Sequence, residues 1–309
     1  MTPELIEIKK VLDDISPTFC AAKFYGNSIY LDRGVTRSCC HCASHKINTD
    51  NLFKESATFE EISNTQTKKD NRRNLLNGVQ DSSCVYCWNI ENVNPNLISD
   101  RLIFSSLYKI EEIKACPELI DNPPIKILQI VFDNLCNLGC LYCNREFSST
   151  WQTEIKMVGV FKNLSQYSSN YYSYIPEILI TNEERERVQE LFWKWLEKES
   201  SQLKRLMVSG GEPTMSPNFW KMIDIIIDKN LKINMGINTN LMIRDQSKLT
   251  KIINLSNTDR VNFKIATSNE AIGAQAEFLR DGLEWDVWIS NMHRCLNEGT
   301  WYEITTIAT

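Results

Sequence analysis

"DNLCNLGCLYCNRE", residues 133–146, sets three cysteines in the spacing C-x3-C-x2-C: Cys136, Cys140 and Cys143. It follows directly on "IKILQIVFD" (125–133), a continuous apolar run of the kind a buried parallel strand shows. The cysteines therefore belong at the carboxyl end of a strand, where α/β folds place their ligands. A loop this tight can aim three sulfurs at one metal cluster while leaving a fourth corner without a protein ligand. Catalytic zinc sites keep an open position in the same way. The alternative is a zinc knuckle that borrows a fourth ligand from elsewhere. With three histidines in the whole chain (His41, His45, His293), that is the weaker reading.

Working outward from the loop, strands and helices alternate. "NEERERVQELFWKWLEKES" (182–200) reads as a helix with an Asn cap and acids in its first turn. Strand "LKRLMVS" (203–209), helix "PNFWKMIDIIIDK" (217–229) and strand "KINMGIN" (232–238) follow. Then come helix "SKLTKIINL" (247–255), strand "VNFKIAT" (261–267), helix "GAQAEFLRDG" (273–282) and strand "YEITTIA" (302–308). Repeated βα units with right-handed crossovers build a parallel sheet, open or closed into a barrel. The polar, tyrosine-rich stretch "NLSQYSSNYYSYIPE" (163–177) reads as a solvated loop. Upstream, "ACPELIDNPP" (115–124) reads as a linker, because paired prolines break helix and strand alike.

The chain has 309 residues, enough for two domains. Its net charge of −5 provides no global field for nucleic acid, and the basic run "KKDNRR" (68–73) reads as a solvated face. No apolar stretch approaches the ~20 residues of a membrane span, and the acidic, amphipathic start "MTPELIEIKKVLDD" is not a signal peptide. A cytoplasmic location is expected. Eleven cysteines in a reducing compartment point to metal rather than to disulfides.

A second motif, "VSGGEPTMSP" (208–217), directly follows the second strand. Two glycines let backbone approach a ligand closely, Glu212 offers a carboxylate, and Pro213 stiffens the exit. One βα unit after the cysteine loop, this Gly-Gly-Glu-Pro becomes specific. Together with C-x3-C-x2-C and an aromatic, Tyr142, before the last cysteine, it makes residues 125–309 resemble the radical S-adenosylmethionine (SAM) superfamily. The resemblance implies a partial (β/α)6 barrel, here with five strands and incomplete at its C-terminal end, which leaves an exposed edge strand. It implies a [4Fe–4S] cluster on Cys136, Cys140 and Cys143 whose open iron chelates SAM. Reductive cleavage of SAM would then give a 5′-deoxyadenosyl radical that takes a hydrogen from substrate. It also implies cofactor contacts at Gly210, Gly211, Glu212 and Pro213 near the methionine ammonium, and at Tyr142 near the adenine. Asn238 and Asn240 at the end of strand three, Ser268 at the end of strand four, and Arg280 complete that set. Arg280 would pair the methionine carboxylate or, as a plain helix-end arginine, the C-terminal carbonyls.

The N-terminal cysteines carry a further resemblance. Cys20, then Gly34 with Cys39 five residues on, then the C-x2-C pair Cys84 and Cys87, form the pattern C…G-x4-C…C-x2-C. "FEEISNTQ" lies between as a helical spacer. Four such thiolates make a closed site, zinc or iron–sulfur on ligand type alone. With Arg73, Gly78, Glu91 and Arg101 at matching places, the segment resembles the twitch or SPASM-type auxiliary-cluster domain, here preceding the barrel instead of following it. The implied organisation is an N-terminal twitch/SPASM-like domain over 1–115, a linker over 116–124 and a radical SAM core over 125–309. Cys20, Cys39, Cys84 and Cys87 would hold a second [4Fe–4S] cluster, with Cys40 the rival of Cys39. Cys42, His41 and His45 are read as non-ligands, and Cys116 and Cys295 as ordinary buried thiols.

What the resemblance implies about partners is a peptide or protein substrate and an electron donor such as flavodoxin or ferredoxin. Two other readings stay open: action on a small metabolite, nucleotide or sugar, and a non-catalytic zinc-stabilised binding module.

Overall fold

The computed structural model describes residues 1–159 and 177–307. Apart from Glu177, the tyrosine-rich stretch 163–177 lies outside the described residues. The chain divides into two compact units. Unit 1 comprises Met1–Ile29, Gly34–Leu128 and Asn182–Phe192; unit 2 comprises Tyr30–Arg33, Gln129–Thr181 and Trp193–Thr309.

Unit 1 is mostly helical. Helix α1 (Pro3–Ile15) is capped by the Thr2 hydroxyl, starts on a proline and buries Ile8, Val11 and Leu12. The short helix α2 (Ala22–Tyr25) leads into strand β1 (Gly26–Tyr30), followed by β2 (Val35–Arg37) and β3 (His45–Lys46), an antiparallel pair. The helical spacer is α3 (Phe59–Ser63), entered through a capping box in which Thr58 and Glu61 satisfy each other's backbone donors. Helices α4 (Gln66–Leu76), α5 (Val85–Val93), α6 (Asp100–Ser105) and α7 (Ile110–Ala115) follow.

The basic run 68–73 on α4 departs from the solvated-face expectation. Lys68 and Arg72 are buried because backbone and amide oxygens wait for them. Lys68 Nζ donates to Asn27 Oδ1 at 2.6 Å and Thr36 Oγ1 at 2.7 Å, and Arg72 donates to Ile120 O at 2.7 Å and Asn64 Oδ1 at 2.6 Å. Nor is the stretch 115–124 a bare tether. Cys116 is fully buried in a core with Leu12, Phe19 and Tyr25.

Unit 2 is an α/β unit on a mostly parallel sheet. Each expected run forms a strand: β4 (Ile127–Val131, divided between the units after Leu128), β6 (Arg205–Ser209), β7 (Ile233–Thr239), β8 (Val261–Ser268) and β10 (Glu303–Ile307). Their spatial order is β10-β8-β7-β6-β4, with β6–β7, β7–β8 and β8–β10 parallel. Two short strands, β5 (Gly139–Cys140) and β9 (Arg280–Asp281), pair antiparallel outside that sheet. Helices α8 (Ser149–Val158), α9 (Asn182–Glu199), α10 (Pro217–Asp228), α11 (Gln246–Ser256), α12 (Ala274–Leu279) and α13 (Trp285–Glu298) complete the described chain. Asn182 is the first helical residue of α9 rather than its cap.

One face of the sheet is apolar: Leu206, Val208, Met235, Ile237, Phe263 and Ile265 are all buried. The β-branched residues suit this pleated, doubly packed surface. The other face carries Asn234, Asn238 and Asn262, all exposed, with Asn262 Nδ2 donating to Asn234 Oδ1 at 2.7 Å. A parallel sheet normally buries both faces. An open polar face is the departure that a ligand-binding sheet would show. Among the described residues, no helix is long and apolar enough to cross a membrane.

Candidate active site

The three-cysteine loop is held from both ends by hydroxyls. Ser149 Oγ accepts from Cys136 N at 3.0 Å, and Thr150 Oγ1 donates to Cys136 O at 2.8 Å. Ser148 Oγ donates to Leu138 O at 2.8 Å, and the Trp151 indole donates to Cys140 O at 2.9 Å. Residues 148–151 are the entry to α8, so the "SST" after the motif anchors the loop through its backbone. Cys140 lies in β5, opposite Arg280 in β9, and Leu141 N donates to Leu279 O at 2.9 Å. Cys140 is buried, while Cys136 and Cys143 are half-buried. Burial pushes the Cys136 thiol up to about 12 and that of Cys143 to about 11, so a coordinating metal is what would deprotonate them near neutrality.

The Gly-Gly-Glu-Pro turn packs directly on this loop. Gly211 N donates to Asp133 O at 3.4 Å and Glu212 N to Leu135 O at 2.6 Å. Gly210 has φ +136°, open to glycine, and a Cβ there would stand 2.7 Å from Asp133 O. At Gly211 a Cβ would collide with Leu135 O and lie 2.6 Å from Asn134 O. The two glycines thus serve close approach between the turn and the cysteine loop.

Glu212 itself is 1 % exposed. Its carboxylate accepts from Thr214 N (3.0 Å), Thr214 Oγ1 (2.7 Å), Thr239 Oγ1 (2.8 Å) and Asn240 N (2.6 Å). Burial raises its pKa, opposed by these donors. Asn240 is in turn half of a short relay: its Nδ2 donates to Asn137 Oδ1 at 2.8 Å and lies 3.9 Å from Cys136 Sγ. Pro213 is buried and opens a single 3-10 turn.

A second network surrounds Cys140. Arg280 donates to both carboxylate oxygens of Glu270, at 2.8 and 2.9 Å, and its guanidinium reaches 4.0 Å from Cys140 Sγ. Tyr142 OH donates to the same Glu270 at 3.0 Å, and its ring lies 5.4 Å beneath the guanidinium. Arg280 caps the end of α12, which stops at Leu279, but its guanidinium turns to Glu270 and not to the helix carbonyls. The structure joins Cys136, Glu212 and Asn240 in one network and Cys140, Tyr142 and Arg280 in the other. Asn238, exposed on β7, and Ser268, half-buried and paired with Ile307, enter neither. Glu270, Asn137, Thr214 and Thr239 have no role assigned from the sequence, although Asn137 and Thr214 lie inside quoted motifs and Thr239 directly follows a quoted strand.

Unit 1 holds the other thiol cluster. Cys20, Cys39, Cys84 and Cys87 line one cavity together with Lys23, His41, Trp88 and Arg101. Cys40 is exposed. Cys42 is buried behind the cavity, its Sγ 3.3 Å from that of Cys39. His41 pairs with Asp100 and stacks on Tyr86 at 3.8 Å, and His45 bonds Thr65 Oγ1 at 2.7 Å. Arg101 is held bidentately by Glu91 at 2.9 and 2.9 Å. Cys116 and Cys295 are buried apart from these sites. Among the described residues, no three His, Cys, Asp or Glu side chains converge closely enough to hold a single metal ion. The thiols of a four-iron cluster bind separate irons and stand wider apart than that.

The radical SAM superfamily model matches residues 130–309, more than half of the chain. The chain belongs to the radical SAM superfamily. Membership of that family implies a [4Fe–4S] cluster and SAM. Among solved structures, one similar chain is Streptococcus suis SuiB bound to S-adenosylmethionine, at 13% identity and TM-score 0.34. That match covers 87% of this chain and 52% of SuiB, so the chain spans about half the length of that protein. At this TM-score the likeness carries no argument. No curated protein matches the chain.

Proposed function

We propose that unit 2 binds the family's cluster through Cys136, Cys140 and Cys143, leaving the fourth iron to SAM. The donor set fits that group: three thiols on one loop, each approached by polar hydrogens and none paired with another cysteine. When bound, the cluster supplies the electron for reductive cleavage of SAM, the source of a hydrogen-abstracting radical. The chain's own residues orient and shield it. Asn240 turns an amide hydrogen toward Cys136 Sγ, and Arg280 turns its guanidinium toward Cys140 Sγ. Hydrogen bonds to the sulfurs are among the levers that set a cluster's potential.

Glu212 holds the Asn240 backbone in place, so it acts as a positioning residue. Arg280, with both carboxylate bonds on Glu270, positions Cys140 and Tyr142. Gly210, Gly211, Pro213, Asn238 and Ser268 remain proposed contacts of SAM or its surroundings. The observation that carries this reading is the direct bonding of the Gly-Gly-Glu turn to the cysteine loop.

We further propose a second [4Fe–4S] cluster on Cys20, Cys39, Cys84 and Cys87, in a twitch/SPASM-like domain that precedes a partial barrel core. The support is that these four thiols line one cavity while Cys40 faces solvent. A peptide or protein substrate, a flavodoxin- or ferredoxin-type electron donor and a cytoplasmic setting belong to the same proposal. The test is anaerobic reconstitution followed by dithionite and SAM. The wild type is expected to release 5′-deoxyadenosine, and Ala at Cys136, Cys140 or Cys143 to abolish it. Substantial product from any of these variants would overturn the assignment.

A further inference from the structure

Among the described residues, Lys23 is a buried cation in no direct ion pair, and Asp81 reaches it only through Ser83 Oγ. It sits on α2, is 2 % exposed, and donates to Ser83 Oγ at 2.8 Å. It lines the cavity of Cys20, Cys39, Cys84 and Cys87. The charged or ionisable groups that favour its charge are Cys42, Cys84 and Cys39, with no carboxylate among them. Arg101, on the same cavity wall, makes the contrast, since Glu91 neutralises it bidentately. Burying an ammonium unpaired is costly, and such groups persist where an opposite charge meets them.

Cys42 is the second unexplained group. It is 5 % exposed and its Sγ lies 3.3 Å from that of Cys39, yet it does not line the cavity. Four corners need four thiols, and a fifth lies behind them.

An oxidised four-iron cluster with four thiolate ligands carries net negative charge. One-electron reduction adds another negative charge to the cluster and moves no proton. We propose that Lys23 is the counter-ion of the cluster in this cavity, with Cys42 a non-ligating thiol beside Cys39. The Lys23 charge makes the cluster easier to reduce. This rests on the reading of the cavity as a cluster site.

The full chain with Cys136→Ala, Cys140→Ala and Cys143→Ala isolates this cluster. Its iron and sulfide are measured after reconstitution, and its midpoint by dithionite titration followed by electron paramagnetic resonance. Adding Lys23→Met is expected to keep the iron and shift the ratio of oxidised to reduced cluster at least tenfold at fixed potential. That is a midpoint lower by about 59 mV for one electron. Lys23→Gln gives the same shift, an independent measurement where the methionine variant folds poorly, and Lys23→Arg restores the parent value. Cys42→Ala keeps the iron. An unmoved midpoint in an iron-loaded Lys23→Gln protein overturns the counter-ion role. Iron loss in Cys42→Ala makes Cys42 a ligand and overturns its assignment. If the triple variant binds no iron with Lys23 and Cys42 intact, the cluster reading of the cavity has failed first.

Discussion

At Glu212 a carboxylate that the sequence offers to a ligand is occupied inside the protein. The tetrapeptide does not show the direction of the Glu212 side chain, because, beside the local Thr214, its partners come from a strand end far along the chain. Thr239 and Asn240 lie 27 and 28 residues away. Removing the carboxylate in Glu212→Ala leaves buried donors on Thr214, Thr239 and Asn240 without an acceptor. Each unsatisfied group costs about 1–3 kcal/mol, and the hydroxyls can turn elsewhere, so the net loss of stability should be about 2–4 kcal/mol. Asn240 then loses its anchor, and SAM affinity should fall by about tenfold or more while iron is retained. Glu212→Gln is no rescue, since its amide would place a donor against the Asn240 N–H or the Thr214 donors. Denaturant midpoints and a SAM titration check this. Unchanged values for both would remove Glu212 from the positioning role. Arg280 and Glu270 make the same point: the arginine was legible, but its partner ten residues upstream bore no signal.

Elements were legible where periodicity had something to bury. The strand runs and the helices α9, α10 and α11 are readable because one face of each is buried, and that demand writes itself into the spacing of apolar residues. Helix α13 was not read, although Trp288, Met292 and Cys295 lie at helical spacing on its buried face. Asn291, also buried there, interrupts that apolar stripe for a reason the sequence cannot show. Its Nδ2 donates to Leu241 O and Ile243 O, both at 2.9 Å, and its Oδ1 accepts from Gln246 at 3.0 Å. It thereby pins the loop that follows β7, where Leu241 adopts φ +57° without being glycine. Asn240, the residue that faces Cys136, begins this loop. Asn291→Leu keeps the volume and strands two buried carbonyls, so stability should drop by about 2–3 kcal/mol. If the loop also sets the site, SAM-dependent 5′-deoxyadenosine release should fall several-fold at saturating protein folding. A thermal shift with full release would confine Asn291 to folding.

For the whole molecule, the two thiol sites belong to different compact units. Cys136, Cys140, Cys143, Glu212, Asn240 and Arg280 all lie in unit 2, whereas Cys20, Cys39, Cys42, Cys84 and Cys87 all lie in unit 1. The sequence separates them in chain order, yet contact does not follow chain order: residues 30–33 join unit 2 and 182–192 join unit 1. Those exchanges depend on tertiary packing, which local pattern does not encode. Separate residue sets predict separable behaviour. Replacing Cys84 and Cys87 together by Ala should remove about four of about eight irons per chain, one four-iron cluster of two. Every residue of the SAM-side networks remains, so uncoupled SAM cleavage should survive while turnover of the true substrate fails. In the wild type, SAM should perturb one reduced cluster signal and leave the other unchanged, because four protein thiols would close every corner of the proposed unit 1 cluster. Loss of all iron in the double variant would show that neither site forms without the other. A response to SAM from the cluster that survives in the Cys136→Ala, Cys140→Ala, Cys143→Ala protein would mean that the unit 1 site keeps an open iron after all.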